Sequence, residues 1–140
     1  MASIQNRFTR DVVSLDASAT CADASRLMAE RGIGSVGVLK GVRIVGLVTE
    51  RDLCAAMAGG ADPGAPLARA MRPDFPTVSA RATDVECAAL MRARRTRHLA
   101  VAEGGEIVGV ISMLDLVDLI VEDKQWSIDQ LECYIRGGRA

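Results

Sequence analysis

The feature that most constrains the fold of this chain is an internal repeat with an offset of 63 residues. The octapeptide GLVTERDL, which begins at Gly46, returns as GVISMLDL, which begins at Gly109. Matches continue on both sides without a gap, and most of the non-identical pairs are chemically similar. A repeat of this length indicates two copies of one supersecondary unit rather than a long solenoid. Two packed copies predict an approximate two-fold axis and a pair of related clefts.

The residue pattern of each copy predicts the element order strand, helix, strand, strand, helix. Thr20-x-x-Asp23 is a capping box in the first copy, and residues 83–86 are its counterpart in the second. Such a box satisfies free N–H groups at the start of a helix. Two β-branched strands then follow, joined by tight turns at Gly41 and Gly104. The predicted fold class is therefore α/β, in an α+β arrangement, with two β-α-β-β-α repeats packed sheet against sheet.

The predicted boundaries follow the repeat. We expect repeat one over residues 7–60, a linker over 61–70, repeat two over 71–122 and a C-terminal helical tail over 123–140. The linker is rich in glycine and proline, which favour loops. In the tail, Ser127-x-x-Gln130 is a further capping-box pattern, and Trp126 precedes it. This pattern predicts a short, separate C-terminal helix.

Composition argues against several function classes. A net charge of -1 gives no basic field for nucleic acid, and aromatic residues at 3% offer few platforms for bases. The four cysteines contain no Cys-x-x-Cys, so neither a zinc site nor a disulfide framework is expected. No apolar run reaches the ~18 residues of a membrane span, and no signal peptide is recognisable, so we expect a cytoplasmic protein. No nucleophile with a base and no metal set is recognisable, which indicates that the chain is not an enzyme.

A tandem unit that ends in Gly-x-x-Thr/Ser-x-x-Asp after a glycine-turned hairpin resembles a pair of CBS (cystathionine β-synthase) domains. The resemblance covers about residues 7–122 and is to stand-alone CBS pairs of bacterial type. It implies a regulatory, signal-transducing module without a catalytic cofactor. The implied ligands are adenosyl compounds, namely AMP, ADP, ATP, NAD(H) or S-adenosylmethionine. The resemblance also implies a homodimer formed through the helices after each motif, and a regulated protein partner that the sequence does not identify.

The chemistry of the motif agrees with this resemblance. Thr49 and Ser112 stand where helices begin, and free N–H groups there favour anionic phosphate. Asp52 and Asp115 follow one turn later, and a carboxylate can accept hydrogen bonds from the hydroxyls of a ribose. The glycine that opens each motif has no Cβ, so we expect a ligand to approach the backbone there. Because Thr/Ser-x-x-Asp is also a capping box, a purely structural role is the alternative interpretation.

In the family, each cleft combines the motif of one repeat with strands of the other. Carried over to this chain, cleft one consists of Leu47, Thr49, Asp52, Phe75, Pro76, Arg97 and His98. Cleft two consists of Val12, Val13, Ile33, Gly34, Ser35, Val110, Ser112 and Asp115. Arg97 and His98 resemble the family's basic strand start, where cations meet phosphates. The resemblance therefore predicts polyphosphate in cleft one and a nucleoside or a less charged ligand in cleft two.

Two interpretations of function stay open from the sequence. The first is a sensor that binds an adenosyl ligand in one or both clefts and changes its packing in response. The alternative is a constitutive protein-interaction or dimerisation module whose clefts are vestigial. Nucleotide affinity separates the two, because only the sensor loses affinity when Asp52 and Asp115 are replaced by alanine.

Overall fold

Two copies of the same five-element unit make up the fold, as the repeat predicts. The computed structural model describes residues 2–137. The elements of repeat one are β1 (Ser14–Asp16), α1 (Cys21–Arg31), β2 (Ser35–Lys40), β3 (Arg43–Thr49) and α2 (Glu50–Ala58). The elements of repeat two are β4 (Thr77–Ser79), α3 (Asp84–Arg94), β5 (His98–Glu103), β6 (Glu106–Ser112) and α4 (Met113–Ile135). Between the repeats lies one 3-10 turn, Leu67–Arg69.

Each repeat forms its own three-stranded sheet, and the two sheets share one topology. β1 pairs in parallel with β2, which pairs antiparallel with β3, and β4, β5 and β6 repeat this pattern. Each of the helices α1 to α4 begins at a complete capping box, which accounts for the agreement between predicted and observed helix starts. Strand β3 contacts β5 and β6 across the molecule. The predicted mixed fold of two β-α-β-β-α repeats is therefore confirmed.

The segment that precedes each repeat packs against the opposite repeat. Ile4 is fully buried in the core of repeat two, and its N–H donates to the Ala82 carbonyl at 3.0 Å. Leu67 is fully buried in the core of repeat one, and its N–H donates to the Ala19 carbonyl at 2.6 Å. Ile4 and Leu67 are related by the same offset as the motifs. The segment 61–70 is therefore part of a core as well as a connection.

The C-terminal region differs from the sequence prediction. We predicted a separate short helix from Ser127, and this is wrong, because α4 continues without a break to Ile135. No glycine or proline interrupts it, and the Ser127 hydroxyl donates to the Asp123 carbonyl at 3.1 Å instead of capping a new helix. Every residue from Lys124 to Gly137 is exposed, so the helix projects from the body. Neither α4 nor another helix within residues 2–137 has the apolar length to cross a membrane.

Candidate ligand-binding site

A cavity of about 570 Å³ lies between the two repeats. Its wall includes every residue that the sequence predicts for cleft two, namely Val12, Val13, Ile33, Gly34, Ser35, Val110, Ser112 and Asp115. Small-molecule sites usually have volumes of about 300–1,000 Å³. The packing of the repeats thus brings these residues together around a space of ligand size.

At the start of α4, the capping box leaves one carboxylate oxygen of Asp115 without a hydrogen bond in cleft two. Ser112 caps the helix by accepting a hydrogen bond from the Asp115 N–H at 3.1 Å. In return, Oδ2 of Asp115 accepts from the Ser112 N–H at 2.9 Å. Oδ1 of Asp115 accepts no hydrogen bond from residues 2–137. The capping box therefore orients the side chain and leaves one acceptor for a ligand.

Four further titratable residues line the same cavity, namely Asp11, Glu50, Arg97 and His98. With Asp115 included, the wall carries three carboxylates, from Asp11, Glu50 and Asp115, and one guanidinium, from Arg97. This balance disfavours a highly charged anion, because like charges repel more strongly near a low-dielectric surface than in water. Asp11 and Glu50 were not among the predicted site residues, since their places in the cleft depend on how the repeats pack. Within residues 2–137, no group of His, Cys, Asp and Glu side chains could hold a metal ion.

Cleft one, the counterpart of this cavity, is almost closed. Its free volume is about 20 Å³, which is room for about one water molecule. Of the residues predicted for it, those on its wall are Thr49, Arg97 and His98. Leu47 and Pro76 are buried in packing, and Phe75 is half-buried outside the wall. Arg97 and His98 also line cleft two, so the basic strand start borders both clefts.

Arg72 contributes to the closure of cleft one. Its Nε donates to Oδ1 of Asp52 at 3.1 Å, while Oδ2 accepts from the Thr49 N–H at 2.9 Å. Both oxygens of Asp52 are thus used, and its side chain is only 5% exposed. Thr9 is the repeat counterpart of Arg72 and is too short to reach Asp115 in the same way. Arg95 and Arg97 also stand on the wall of cleft one, where cleft two has Gly32 and Gly34. These three arginines together make the two clefts unequal, and the repeat alignment is the signal that could have revealed them.

The glycine of each motif approaches protein, not an open ligand space. A Cβ on Gly46 would lie 2.7 Å from Sδ of Met71. A Cβ on Gly109 would lie 2.4 Å from Cδ2 of Phe8 and 2.6 Å from the Thr9 carbonyl oxygen. The expectation that a ligand approaches the backbone here is therefore wrong, because the segment before each repeat crosses the strand at this point.

His98 is a half-buried histidine that lies between the two clefts. Burial lowers its pKa below the ordinary value of 6.5, and the neighbouring Arg97 acts in the same direction. Glu50, Asp115 and Asp52 oppose this shift only in part. The imidazole is therefore neutral near pH 7, where it can exchange hydrogen bonds with a ligand without adding charge.

We expect the free energy of unfolding to fall when the pH is lowered from 7 toward 5. The unfolded chain takes up a proton on His98 near pH 6.5, whereas the folded chain resists it until the pH is lower. The stabilisation is thus complete above pH 6.5 and is lost as the pH falls through the lower, folded pKa. Urea unfolding across this range measures the slope, and H98Q is the control. If H98Q keeps the full slope, His98 is not its source.

Known proteins share the sequence and fold of this chain. Residues 4–59 and 67–122 each match the CBS domain family. The CBS domain-containing protein YhcV of Bacillus subtilis (strain 168) is 23% identical over 117 residues, which are 83% of this chain and 84% of that protein. A putative signal-transduction protein with CBS domains from Burkholderia ambifaria MC40-6 is 34% identical with a TM-score of 0.74, over 82% of this chain and 86% of that one. CBSX2 in complex with AMP, at 19% identity, shares the fold with a TM-score of 0.75 over 89% of this chain and 99% of that one.

Proposed function

Because the chain belongs to the CBS-domain family, we propose that it is a non-catalytic regulatory module that binds an adenosyl ligand in cleft two. The observation that carries this proposal is the cavity of about 570 Å³ with the unpaired Oδ1 of Asp115 on its wall. The AMP complex of CBSX2 supports the adenosyl class of ligand. Cleft one, for which the sequence predicts polyphosphate, is not part of the proposal because its free volume is only about 20 Å³ and Asp52 is already bonded to Arg72.

Three parts of cleft two suit the three parts of an adenosine monophosphate. Oδ1 of Asp115 is available to accept a hydrogen bond from a ribose hydroxyl. Val13 and Ile33 provide an apolar wall and backbone groups for adenine. Arg97 provides one guanidinium for a phosphate, as arginine commonly does. We assign these roles to the residues as parts of the same proposal.

The charge of the wall selects among adenosyl ligands. With three carboxylates and one guanidinium around the cavity, each additional phosphate meets more repulsion than attraction. AMP and the cationic S-adenosylmethionine therefore suit cleft two better than ATP.

The regulatory step follows from the position of the cavity between the repeats. Val13 and Ile33 come from repeat one, whereas Arg97 and Asp115 come from repeat two. A ligand that contacts both repeats binds most tightly to the arrangement in which both walls are in place. Only this difference in affinity between two arrangements can shift the equilibrium between them.

Isothermal titration of the full chain tests the proposed function. We expect one ligand per chain, because cleft one is filled, and we expect AMP and S-adenosylmethionine to bind more tightly than ATP. At about 100 times the dissociation constant, a ligand adds ~2.7 kcal/mol to the free energy of unfolding and raises the melting temperature by several degrees. GMP is the matched control for the base. Absence of binding by every adenosyl ligand would favour the protein-interaction module with vestigial clefts.

A further inference from the structure

The imidazole of His98 is held in place by its backbone and keeps both ring nitrogens available. Its backbone N–H donates to the Thr96 hydroxyl at 3.3 Å, and its carbonyl accepts from the same hydroxyl at 3.1 Å. Neither ring nitrogen of His98 has a hydrogen-bond partner within residues 2–137. No buried side-chain nitrogen in that part of the chain lacks a partner, so both ring nitrogens are accessible. A ligand in the adjoining cleft can therefore bond to the imidazole.

The imidazole packs against the backbone of Gly34 in the opposite repeat. A Cβ on Gly34 would lie 2.8 Å from Cε1 of His98 and 3.1 Å from its Nε2. The same Cβ would lie 3.4 Å from Oε1 of Glu50, whose N–H donates to the Gly34 carbonyl at 3.0 Å. Gly34 has no positive φ, so the close approach of the imidazole is what favours glycine here. His98 and Glu50 therefore face the same small space between the repeats.

Charged side chains of both signs stand around His98 on both repeats. By element, they are Asp11 before β1, Glu50, Arg51 and Asp52 on α2, Arg72 before β4, Arg95 and Arg97 between α3 and β5, and Asp115 on α4. On the wall of cleft two, the residues that can carry a positive charge are Arg97 and His98. Protonation of His98 therefore raises the number of cations on this wall from one to two, against three carboxylates.

We propose that His98 determines which adenosyl ligand cleft two prefers, and that it does so by gaining or losing one proton. This inference rests on the proposed function, because it concerns the same cleft. A neutral imidazole leaves the carboxylates dominant, and this balance favours the cationic S-adenosylmethionine. A protonated imidazole adds a second cationic donor beside Arg97, which favours the phosphate of AMP. Cleft two thus selects S-adenosylmethionine at higher pH and AMP at lower pH.

The surroundings of His98 set the pH range of this change. Burial and the neighbouring Arg97 lower the pKa of His98 below 6.5, so the imidazole is neutral at pH 7.5 and takes up a proton below pH 6.5. The phosphate of a bound AMP raises this pKa again, because a nearby opposite charge favours the protonated form. We therefore expect the wild type to take up more protons than H98Q when AMP binds near pH 6.

Isothermal titration of the full chain at pH 7.5 and pH 5.5 tests the inference, with H98Q as the matched control. Relative to H98Q, we expect the lower pH to strengthen the binding of AMP to the wild type by about tenfold, since a hydrogen bond to a charged group contributes this much. We expect it to weaken the binding of S-adenosylmethionine. The comparison with H98Q is essential, because a phosphate monoester itself titrates at about pH 6. Adenosine is the uncharged control ligand, and its affinity should stay the same.

E50Q is a second variant, and it should move the pH profile instead of abolishing it. The charge of Glu50 opposes the lowering of the pKa of His98, so its removal lowers that pKa further. We expect the pH dependence of AMP binding to shift to lower pH in E50Q, which a purely structural role of Glu50 would not produce. Circular dichroism at pH 5.5 establishes that the wild type and both variants are folded.

Two results would overturn the inference in distinguishable ways. If AMP and S-adenosylmethionine bind H98Q with the pH profile of the wild type, His98 does not select the ligand, although the proposed function stands. If neither ligand nor adenosine binds the wild type at either pH, the proposed function fails together with the inference.

Discussion

D115A will weaken the binding of AMP by about 100-fold. Oδ1 of Asp115 is the carboxylate oxygen that the capping box leaves unpaired in cleft two, and a hydrogen bond to a charged group contributes about 1.5–3 kcal/mol. Losing one such bond to a ribose hydroxyl, at the upper end of this range, would account for the expected change in affinity. Isothermal titration with AMP measures it directly. Because D115A also removes half of a capping box, the folded fraction is checked by circular dichroism at the same temperature.

D52A is the matched control, because it changes the same motif position in the other repeat. We expect little effect on AMP affinity, since Asp52 is bonded to Arg72 and does not line the large cavity. We expect a loss of about 2 kcal/mol in the free energy of unfolding, because Arg72 would lose its partner in a site where its side chain is only 29% exposed. Equal losses of AMP affinity in D52A and D115A would show that cleft two is not the ligand site.

G109A will destabilise the fold by about 3 kcal/mol. The added methyl group would lie 2.4 Å from the Phe8 ring and 2.6 Å from the Thr9 carbonyl oxygen. The Thr9 backbone cannot move away from the added methyl group, because its N–H and its carbonyl are hydrogen-bonded to the Val110 backbone at 2.9 and 3.0 Å. Overpacking of a rigid site costs about 1–3 kcal/mol and occasionally more. Urea unfolding of the wild type and the variant measures the difference.

G46A is the matched comparison, because Gly46 opens the same motif in repeat one. Its added methyl group would lie 2.7 Å from Sδ of Met71, and a methionine side chain can change rotamer. We expect a cost of about 1 kcal/mol, partly offset by the reduced freedom of alanine in the unfolded chain. If G46A and G109A lower the free energy of unfolding by the same amount, the segment at Met71 is as rigid as the segment at Phe8 and Thr9.

The local parts of the fold could be predicted because they depend on local chemistry. Thr20, Thr49, Thr83 and Ser112 each precede an acidic residue by three positions, and each caps a helix in the structure. The hairpins follow from β-branched strands and glycine turns in the same way. The one wrong helix boundary has the same origin, because Ser127 carries a capping signal that an uninterrupted helix overrides.

The residues of the candidate site and the inequality of the two clefts were predictable from the sequence, but which cleft is open was not. The resemblance assigned eight residues to cleft two, and the structure places all of them on one cavity. It could not show that Arg72 reaches Asp52, because that contact joins the segment before repeat two to the motif of repeat one. For the same reason, the space beside Gly46 and Gly109 was expected to hold a ligand, whereas Met71 and Phe8 occupy it.

The sequence by itself determined the two repeats, their order of elements, their capped helices and their family, since each of these depends on residues that are close in the chain or related by the 63-residue offset. Only the tertiary structure decided which cleft is open and what fills the other one. The reason is physical: two repeats of the same topology create related clefts, and the side chains that cross from one repeat to the other make these clefts different. Arg72, Arg95 and Arg97 line the closed cleft, and Thr9, Gly32 and Gly34 stand at the same positions of the open one.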